Sequence, residues 1–394
     1  MWRENRNGAV ESQHPFPITS VRSSPSPDRT CAIASRAASV STTESSAIAV
    51  RVRPVPDQDL TVAVTGPTGD LGIALVDALE RSRAVKKIVG MARRPFDPAS
   101  EGWKKTEYRQ GDVLDKASVK DALKGADVVI HLAFSVLGAG DKTREINVEG
   151  SRNVFDQAVR SRARRICYAS SVAAYGYRSE NPKWLTEEVP ALGTDQHFYS
   201  QQKAEVEQVL AKTLERKKAT QAYVFRPCIV SGPRATMLIE EIPYVQLSER
   251  MPDAVRSLLG LMPILKPVIP DPGTPFQLVH EDDVASAFVS GVRGVGEPGA
   301  YNLAGAGTLT MSDIADAIGW YSIPVPDLAV NATAEVISRV PAAPEKLTWV
   351  EAVRNPVLMK TARAKKELRW KPKYSGRQTL RALIDAWKRE GPEH

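Results

Sequence analysis

Three glycines at intervals of three, Gly66-x-x-Gly69-x-x-Gly72, stand between an apolar run and an amphipathic stretch. The run is Thr61-Val62-Ala63-Val64-Thr65. In the stretch, Leu71, Leu75, Ala78 and Leu79 recur as i, i+4, i+7 and i+8. The short run reads as a buried strand and the following period as a helix that covers it. Glycine at the turn admits positive φ and lets the backbone approach a phosphate, while the first-turn amides of the helix favour negative charge. A strand, a glycine turn and a helix in that order are the context in which this spacing cradles a pyrophosphate rather than simply reversing the chain.

The same texture repeats downstream. Strand-like runs occur at Lys87 to Met91, Asp127 to Leu132, Arg165 to Ala169 and Ala222 to Phe225, with a shorter candidate at Tyr108 to Gly111. Between them lie helical periods; Ile146, Val154, Ala158 and Val159 share one face. Continuous apolar strands alternating with helices predict an α/β protein with a doubly wound, Rossmann-type parallel sheet covered on both sides. Ligands of such sheets bind beyond the carboxyl ends of the strands. After Phe225 the alternation weakens and prolines become frequent, which predicts a smaller, irregular C-terminal substrate lobe. We therefore divide the chain into a nucleotide-binding domain over 59–227 and a lobe over 228–394, with segments around 276–304 returning to the core. Residues 1–58 are rich in Ser, Pro, Arg and Thr without periodicity and are expected to form a disordered extension. Glu4, Glu11, Asp28 and Glu44 argue against an organelle transit peptide, and there is no apolar core of a secretory signal.

Composition excludes several classes. The net charge of +7 is scattered rather than concentrated, and aromatics make up only 6%, which argues against a nucleic-acid binder. No apolar run reaches the ~18 residues of a membrane helix; the segment Ser257 to Leu265 is broken by Pro263 and followed by Lys266. Cys31, Cys167 and Cys228 are far apart, and the five histidines do not cluster with them, so no metal site is expected. A cytoplasmic location fits this cysteine usage.

Three further features carry chemistry. Where an NAD-binding chain usually places an acid at the end of its second strand, this one has Met91-Ala92-Arg93-Arg94. A small residue followed by arginines suits a 2′-phosphate and predicts NADP over NAD, with Arg93 or Arg94 as the ligand. In Tyr199-Ser200-Gln201-Gln202-Lys203, a phenol and an ammonium lie four residues apart on a helical period continued by Ala204, Val206, Val209 and Leu210. A phenol, with its ordinary pKa near ~10, serves as an acid–base at neutral pH only when a nearby cation favours its anion. Ser170-Ser171 closes the strand from Arg165 to Ala169, at the edge where ligands collect.

Taken together, these features resemble the extended short-chain dehydrogenase/reductase family, also called the NAD-dependent epimerase/dehydratase family. Other pieces agree in order: Gly111-Asp112-Val113, His131-Leu132-Ala133, Asn147-Val148-Glu149-Gly150, Arg226-Pro227 with Gly232-Pro233-Arg234, and Val279-His280-Glu281-Asp282-Asp283-Val284-Ala285. The resemblance covers roughly Leu60 to Gly319. It implies Tyr199 as general acid/base, Ser171 as the hydroxyl that polarises the reacting carbonyl, and Lys203 as the group that holds the nicotinamide ribose and lowers the pKa of Tyr199. The cofactor site it implies comprises Gly66, Thr68, Gly69, Asp70, Leu71, Gly72, Arg93, Arg94, Asp112, Val113, Leu132, Ala133, Phe134, Asn147, Ser170, Tyr199, Lys203, Pro227 and Ile229. It also implies a homodimer through the Tyr199 helix and the helix at Glu145 to Ser161.

The expected activity is hydride transfer between nicotinamide and a carbonyl or alcohol of a small molecule. The alternatives are a nucleotide-sugar epimerase or dehydratase of the same family and a non-catalytic NADP-binding sensor. Sugar-nucleotide enzymes of the family commonly carry an arginine four residues before the histidine of the late motif, where this chain has Phe276. The apolar segment Met237 to Pro270 is expected to cover the substrate or pack on the core, and Arg234 stands in a loop at the cleft.

Overall fold

The computed structural model describes residues 58–136, 140–195, 197–215, 219–235, 239, 267–326 and 355–390. Expectations for residues 1–57, and for the Met237–Pro270 segment apart from Ile239 and residues 267–270, lie outside them. Strand β1 (Leu60–Thr65) runs into helix α1 (Asp70–Arg81), followed by β2 (Val85–Ala92), β3 (Thr106–Gln110), α2 (Lys116–Ala122) and β4 (Val128–His131). A short α3 (Asp141–Arg144) passes through a π-turn at Glu145–Glu149 into α4 (Gly150–Arg160). Then come β5 (Arg165–Ala169), a 3₁₀ turn (Val172–Tyr175), α5 (Phe198–Glu215) and β7 (Gln221–Pro227), with the two-residue β6 (Trp184–Leu185) ahead of α5.

After the short strands β8 (Ile229–Ser231), β9 (Val268–Asp271) and β10 (Leu278–His280) comes β11 (Gly299–Leu303), and seven strands form one sheet in the order β11-β7-β5-β4-β1-β2-β3. Every neighbouring pair is parallel. The order reverses between β1 and β4, and the reversal opens a crevice at the carboxyl ends of those two strands. Side chains alternate across the sheet. Val62, Val64, Val128, Ile130, Cys167 and Ala169 pack with α1 and the helix Glu281–Val292, while Ala63, Val129, Ile166 and Tyr168 pack with α2, α4 and α5. Both faces are therefore dry, and this is why the strands read as unbroken apolar runs.

Residues after 227 contribute in two ways. β11 adds the sheet's last strand beside β7, and the helix Glu281–Val292 lies on α1. A separate apolar cluster gathers Ile239, Ile269, Leu278, Leu309, Ile314, Leu380 and Leu383, with Phe276 packed against it. The late motif Val279 to Ala285 ties these parts together. The Asp283 carboxylate accepts the backbone N–H of Lys373 at 2.7 Å and of Tyr374 at 3.0 Å, and its carbonyl accepts the Trp370 indole N–H at 2.8 Å. His280 caps the helix by accepting the Asp282 N–H at 3.2 Å, and its ring stacks on Tyr374 at 3.9 Å.

Replacing Asp283 by Ala removes both carboxylate bonds and leaves two backbone N–H groups without their acceptor. At about 1.5 kcal/mol per bond to a charged group, the loss should be about 3 kcal/mol in a urea unfolding titration. A change below about 1 kcal/mol would show that water replaces the carboxylate at no cost.

Candidate active site

The turn after β1 is built for close contact. Gly66 has φ +76°, and a Cβ there would meet the Ala133 backbone at 3.0 Å, so the turn rests directly on the end of β4. At Gly72 a Cβ would lie 2.3 Å from the Gly66 carbonyl and 2.8 Å from that of Pro67. At Gly69 it would meet nothing within 4 Å, because this residue faces open space. Gly69 also caps α1 without a side-chain hydrogen bond, so no side chain competes for the first-turn amides. An open glycine before uncapped amides fits a diphosphate. Thr68 and Asp70 are exposed beside it, and Leu71 is half-buried.

Around this cradle the other strands deliver their ends. Arg93 and Arg94 are exposed just past β2, and no carboxylate is paired with either among the described residues. Past β3, Asp112 turns its carboxylate inward to accept the Leu114 N–H at 2.9 Å, and Val113 is buried against Gly150, where a Cβ would sit 2.5 Å from its methyl. Past β4, Leu132, Ala133 and Phe134 are half-buried. Pro227 ends β7 buried, and Ile229 beyond it is exposed.

Asn147 is fully buried in the π-turn, a local widening of the helix that often marks a functional position. Its side chain accepts the Ser135 N–H at 2.7 Å and donates to the Ser135 carbonyl at 2.9 Å and to Gln202 Oε1 at 2.8 Å. It thus clamps the loop after β4 to α5 from within the protein. The helix expected at Glu145 to Ser161 is in fact this π-turn followed by α4.

Ser171, Tyr199 and Lys203 meet at the end of β5. Ser171 caps the 3₁₀ turn, its oxygen accepting the Ala173 N–H at 3.2 Å, and its hydroxyl stands where it favours ionisation of the Tyr199 phenol. The start of α5 is docked onto that turn by the Ser200 hydroxyl, which donates to the Ala173 carbonyl at 2.6 Å. One helical turn on, Lys203 is buried; its ammonium donates to the Ala169 carbonyl at 2.7 Å and sits 3.6 Å above the Phe134 ring. That ring also meets the Tyr199 ring edge-on, 5.6 Å away. Contacts therefore run from the glycine turn through Ala133 and Phe134 to the phenol and the ammonium.

Burial dominates the electrostatics. It pushes Lys203 down to about 7, against the Glu207 carboxylate one turn further along α5, which favours its charged form. It raises the Tyr199 phenol above its ordinary value, with the Ser171 hydroxyl acting the other way. The buried His131, held between Thr65 at 2.7 Å and Ser151 at 2.8 Å, is pushed down to about 3 by desolvation and then by Lys203, and so stays neutral.

The chain matches the model of the NAD dependent epimerase/dehydratase family over residues 62–304. The chain belongs to that family. Among characterised proteins it is 32% identical over 181 residues to sterol demethylase protein B of Methylococcus capsulatus, covering 44% of this chain and 52% of that one. It is 30% identical over 186 residues to cinnamoyl-CoA reductase 1 of Petunia hybrida, covering 44% and 55%. The chain thus spans about half the length of each of these relatives. A solved dTDP-glucose 4,6-dehydratase from Bacillus anthracis in complex with NAD shares the fold with a TM-score of 0.61 at 16% identity, covering 84% of this chain and 97% of that one.

Several residues of the site left no readable trace in the sequence. Gln202 is buried and holds Asn147. Buried His197 accepts the Ser200 N–H at 3.3 Å and so caps the first turn of α5. Glu207 binds both Ser170 and Arg226. Only the helical spacing of Glu207 from Lys203 could have marked it. Arg234, by contrast, is committed elsewhere: it pairs with Asp77 at 3.0 Å and with buried Glu281 at 3.1 Å, which fastens its loop to α1 and the Glu281–Val292 helix.

A methyl at position 72 would overlap the turn's own carbonyls, and overpacking of this kind costs on the order of 1–3 kcal/mol. Gly72→Ala should therefore bind dinucleotide roughly tenfold more weakly or worse in a fluorescence titration while keeping its circular dichroism. Unchanged affinity would mean that the turn can open without consequence.

Proposed function

We propose that the protein is an NADP(H)-preferring reductase or dehydrogenase acting on a carbonyl or alcohol of a small molecule that carries no nucleotide handle. The observation that carries this reading is the convergence at the end of β5 of Ser171, the Tyr199 phenol whose ionisation it favours, and the Lys203 ammonium buried one turn along α5 against the Ala169 carbonyl. The dinucleotide would lie on Gly66 to Gly72, its adenine end near Asp112 and Val113, its ribose within reach of Lys203 and its nicotinamide near Phe134, Pro227 and Ile229. Bound in its reduced form, nicotinamide supplies a hydride to the substrate's carbonyl carbon.

The chain's own groups handle the oxygen. The oxygen of Ser171 is occupied by the Ala173 N–H, so its proton is available to the substrate oxygen. As the C=O π bond breaks and charge collects on that oxygen, Ser171 stabilises it and Tyr199 transfers its proton, giving the alcohol. Burial keeps the phenol protonated, which suits it to donate in the reducing direction. Solvent then restores the proton. The positive charge of Lys203 favours the transient phenolate.

The cofactor preference rests on Arg93 and Arg94, which suit a 2′-phosphate in a way that the usual acid would not. The substrate reading rests on Phe276, which packs against the third apolar cluster where sugar-nucleotide enzymes place an arginine, and on relatives named for sterol demethylation and cinnamoyl-CoA reduction. We assign the lobe after residue 227 to the substrate. No helix among the described residues is long and apolar enough to cross a membrane; we further propose a cytoplasmic enzyme that works as a homodimer through α4 and α5. The second reading, a sugar-nucleotide epimerase or dehydratase, is favoured by the family and by the dehydratase sharing this fold. It differs in regenerating its cofactor, so net loss of NADPH absorbance with a carbonyl substrate separates the two.

Tyr199→Phe should bind NADPH normally and lose about 100-fold or more in turnover; retained turnover would refute the assignment. Arg93→Ala with Arg94→Ala should raise KM for NADPH by about tenfold or more while leaving KM for NADH within about twofold. Equal effects on both cofactors would remove the case for NADP.

A further inference from the structure

Glu207 is a largely buried carboxylate on the helix that carries Tyr199 and Lys203. Residues 199, 203 and 207 follow at intervals of four and share one face of α5. The Glu207 carboxylate accepts the Ser170 hydroxyl at 2.5 Å, and also Arg226 Nε at 2.9 Å and Nη2 at 2.5 Å. The side chains of Arg226 and Glu207 are only 7% and 12% exposed. Arg226 is itself braced from the other side, with its guanidinium 4.5 Å from the centre of the Tyr175 ring.

Consecutive residues at the end of β5 are thus gripped from α5 by consecutive turns. Lys203 takes the carbonyl of Ala169, Glu207 takes the hydroxyl of Ser170, and the next residue is Ser171, which caps the 3₁₀ turn on which Ser200 docks the start of α5. From this arrangement we infer that Glu207, held by Arg226, is a positioning residue that acts through the Ser170 hydroxyl to set Ser171 against Tyr199. This rests on the reading of Ser171 and Tyr199 as the reacting pair.

The physical reasons are direct. A hydroxyl donating to a carboxylate makes a short, charge-assisted bond, stronger and more directional than a neutral one. Beyond Ser171 the backbone turns into the 3₁₀ turn, so the direction of its Oγ depends on where Ser170 is pinned. Ser170, expected at the cofactor, gives its hydroxyl to Glu207. Displacements of about 1 Å at a reacting group can cost on the order of 100-fold in rate. The same carboxylate favours the charged form of Lys203, which is also faced by His131 from β4, Tyr168 from β5 and Tyr199 from its own helix.

The test uses Ser170→Ala, which leaves the Glu207–Arg226 pair intact, beside Ser170→Thr, which keeps the hydroxyl. Steady-state kinetics and thermal melting are measured on the full chain with NADPH and a carbonyl substrate. Ser170→Ala should lower kcat by roughly 10- to 100-fold, with KM for NADPH within about twofold and Tm lowered by no more than about 5 °C, and Ser170→Thr should restore most of kcat. A wild-type kcat in Ser170→Ala, or a Ser170→Thr variant as slow as Ser170→Ala, overturns the inference. Glu207→Gln should be slow as well, and adding Ser170→Ala to it should cost nothing more; additive losses also overturn the inference. Should the lone buried Arg226 prevent Glu207→Gln from folding, the Ser170 pair still decides. An active Tyr199→Phe enzyme would remove the underlying reading, whereas an inactive one beside a fully active Ser170→Ala removes only this inference.

Discussion

A buried ammonium organises the site. Lys203 has left water for a place between the end of β5 and the ring of Phe134, where burial disfavours its charged form and pushes it down to about 7. Three features oppose that: a backbone carbonyl at 2.7 Å, the negative face of an aromatic ring and a carboxylate one helical turn away. A positive charge kept in such a place is expensive, and a folded chain keeps it where the charge is used. Burial and then this charge keep His131 neutral, and the Glu207 carboxylate that favours the ammonium also favours the charged form of buried Arg226.

The sheet makes that concentration possible. Parallel strands all end at one edge, so the glycine turn, the loop after β4, the serine pair and the end of β7 lie side by side, although they are up to about 160 residues apart in the chain. Backbone must meet backbone there, as at Gly66 and Gly72, where the space for a side chain is already filled. The outer parts hold this edge in place by polar clamps rather than by apolar packing alone. Asp283 draws residues 370 to 374 onto the core, and Asn147 draws the loop after β4 onto α5.

The elements that were legible share a local signature. Strands buried on both faces show as apolar runs, helices as a 3.6-residue period, and the phosphate turn as glycines between the two; none of these needs a distant partner to be recognised. The strand boundaries moved by one or two residues, because the ladder rather than hydropathy decides where pairing stops. Tyr199 and Lys203 were legible as a pair because one helix carries both. What was missed depends on partners far along the chain. The role of Gln202 depends on Asn147, 55 residues earlier, and that of Glu207 on Ser170 and Arg226. Arg234 looked like a cleft arginine until Asp77, 157 residues away, was seen to hold it.

The sequence by itself determined the parallel α/β plan, the glycine turn, the arginines after β2 and the spacing of phenol and ammonium, because each is a short-range pattern imposed by backbone geometry. Only the tertiary structure decided which hydroxyl faces the phenol and which turns to a carboxylate, how deeply the lysine is buried, and that Asn147 braces the site from inside. Those outcomes depend on solvent exclusion and on distances across the sheet, and neither is encoded in the order of neighbouring residues.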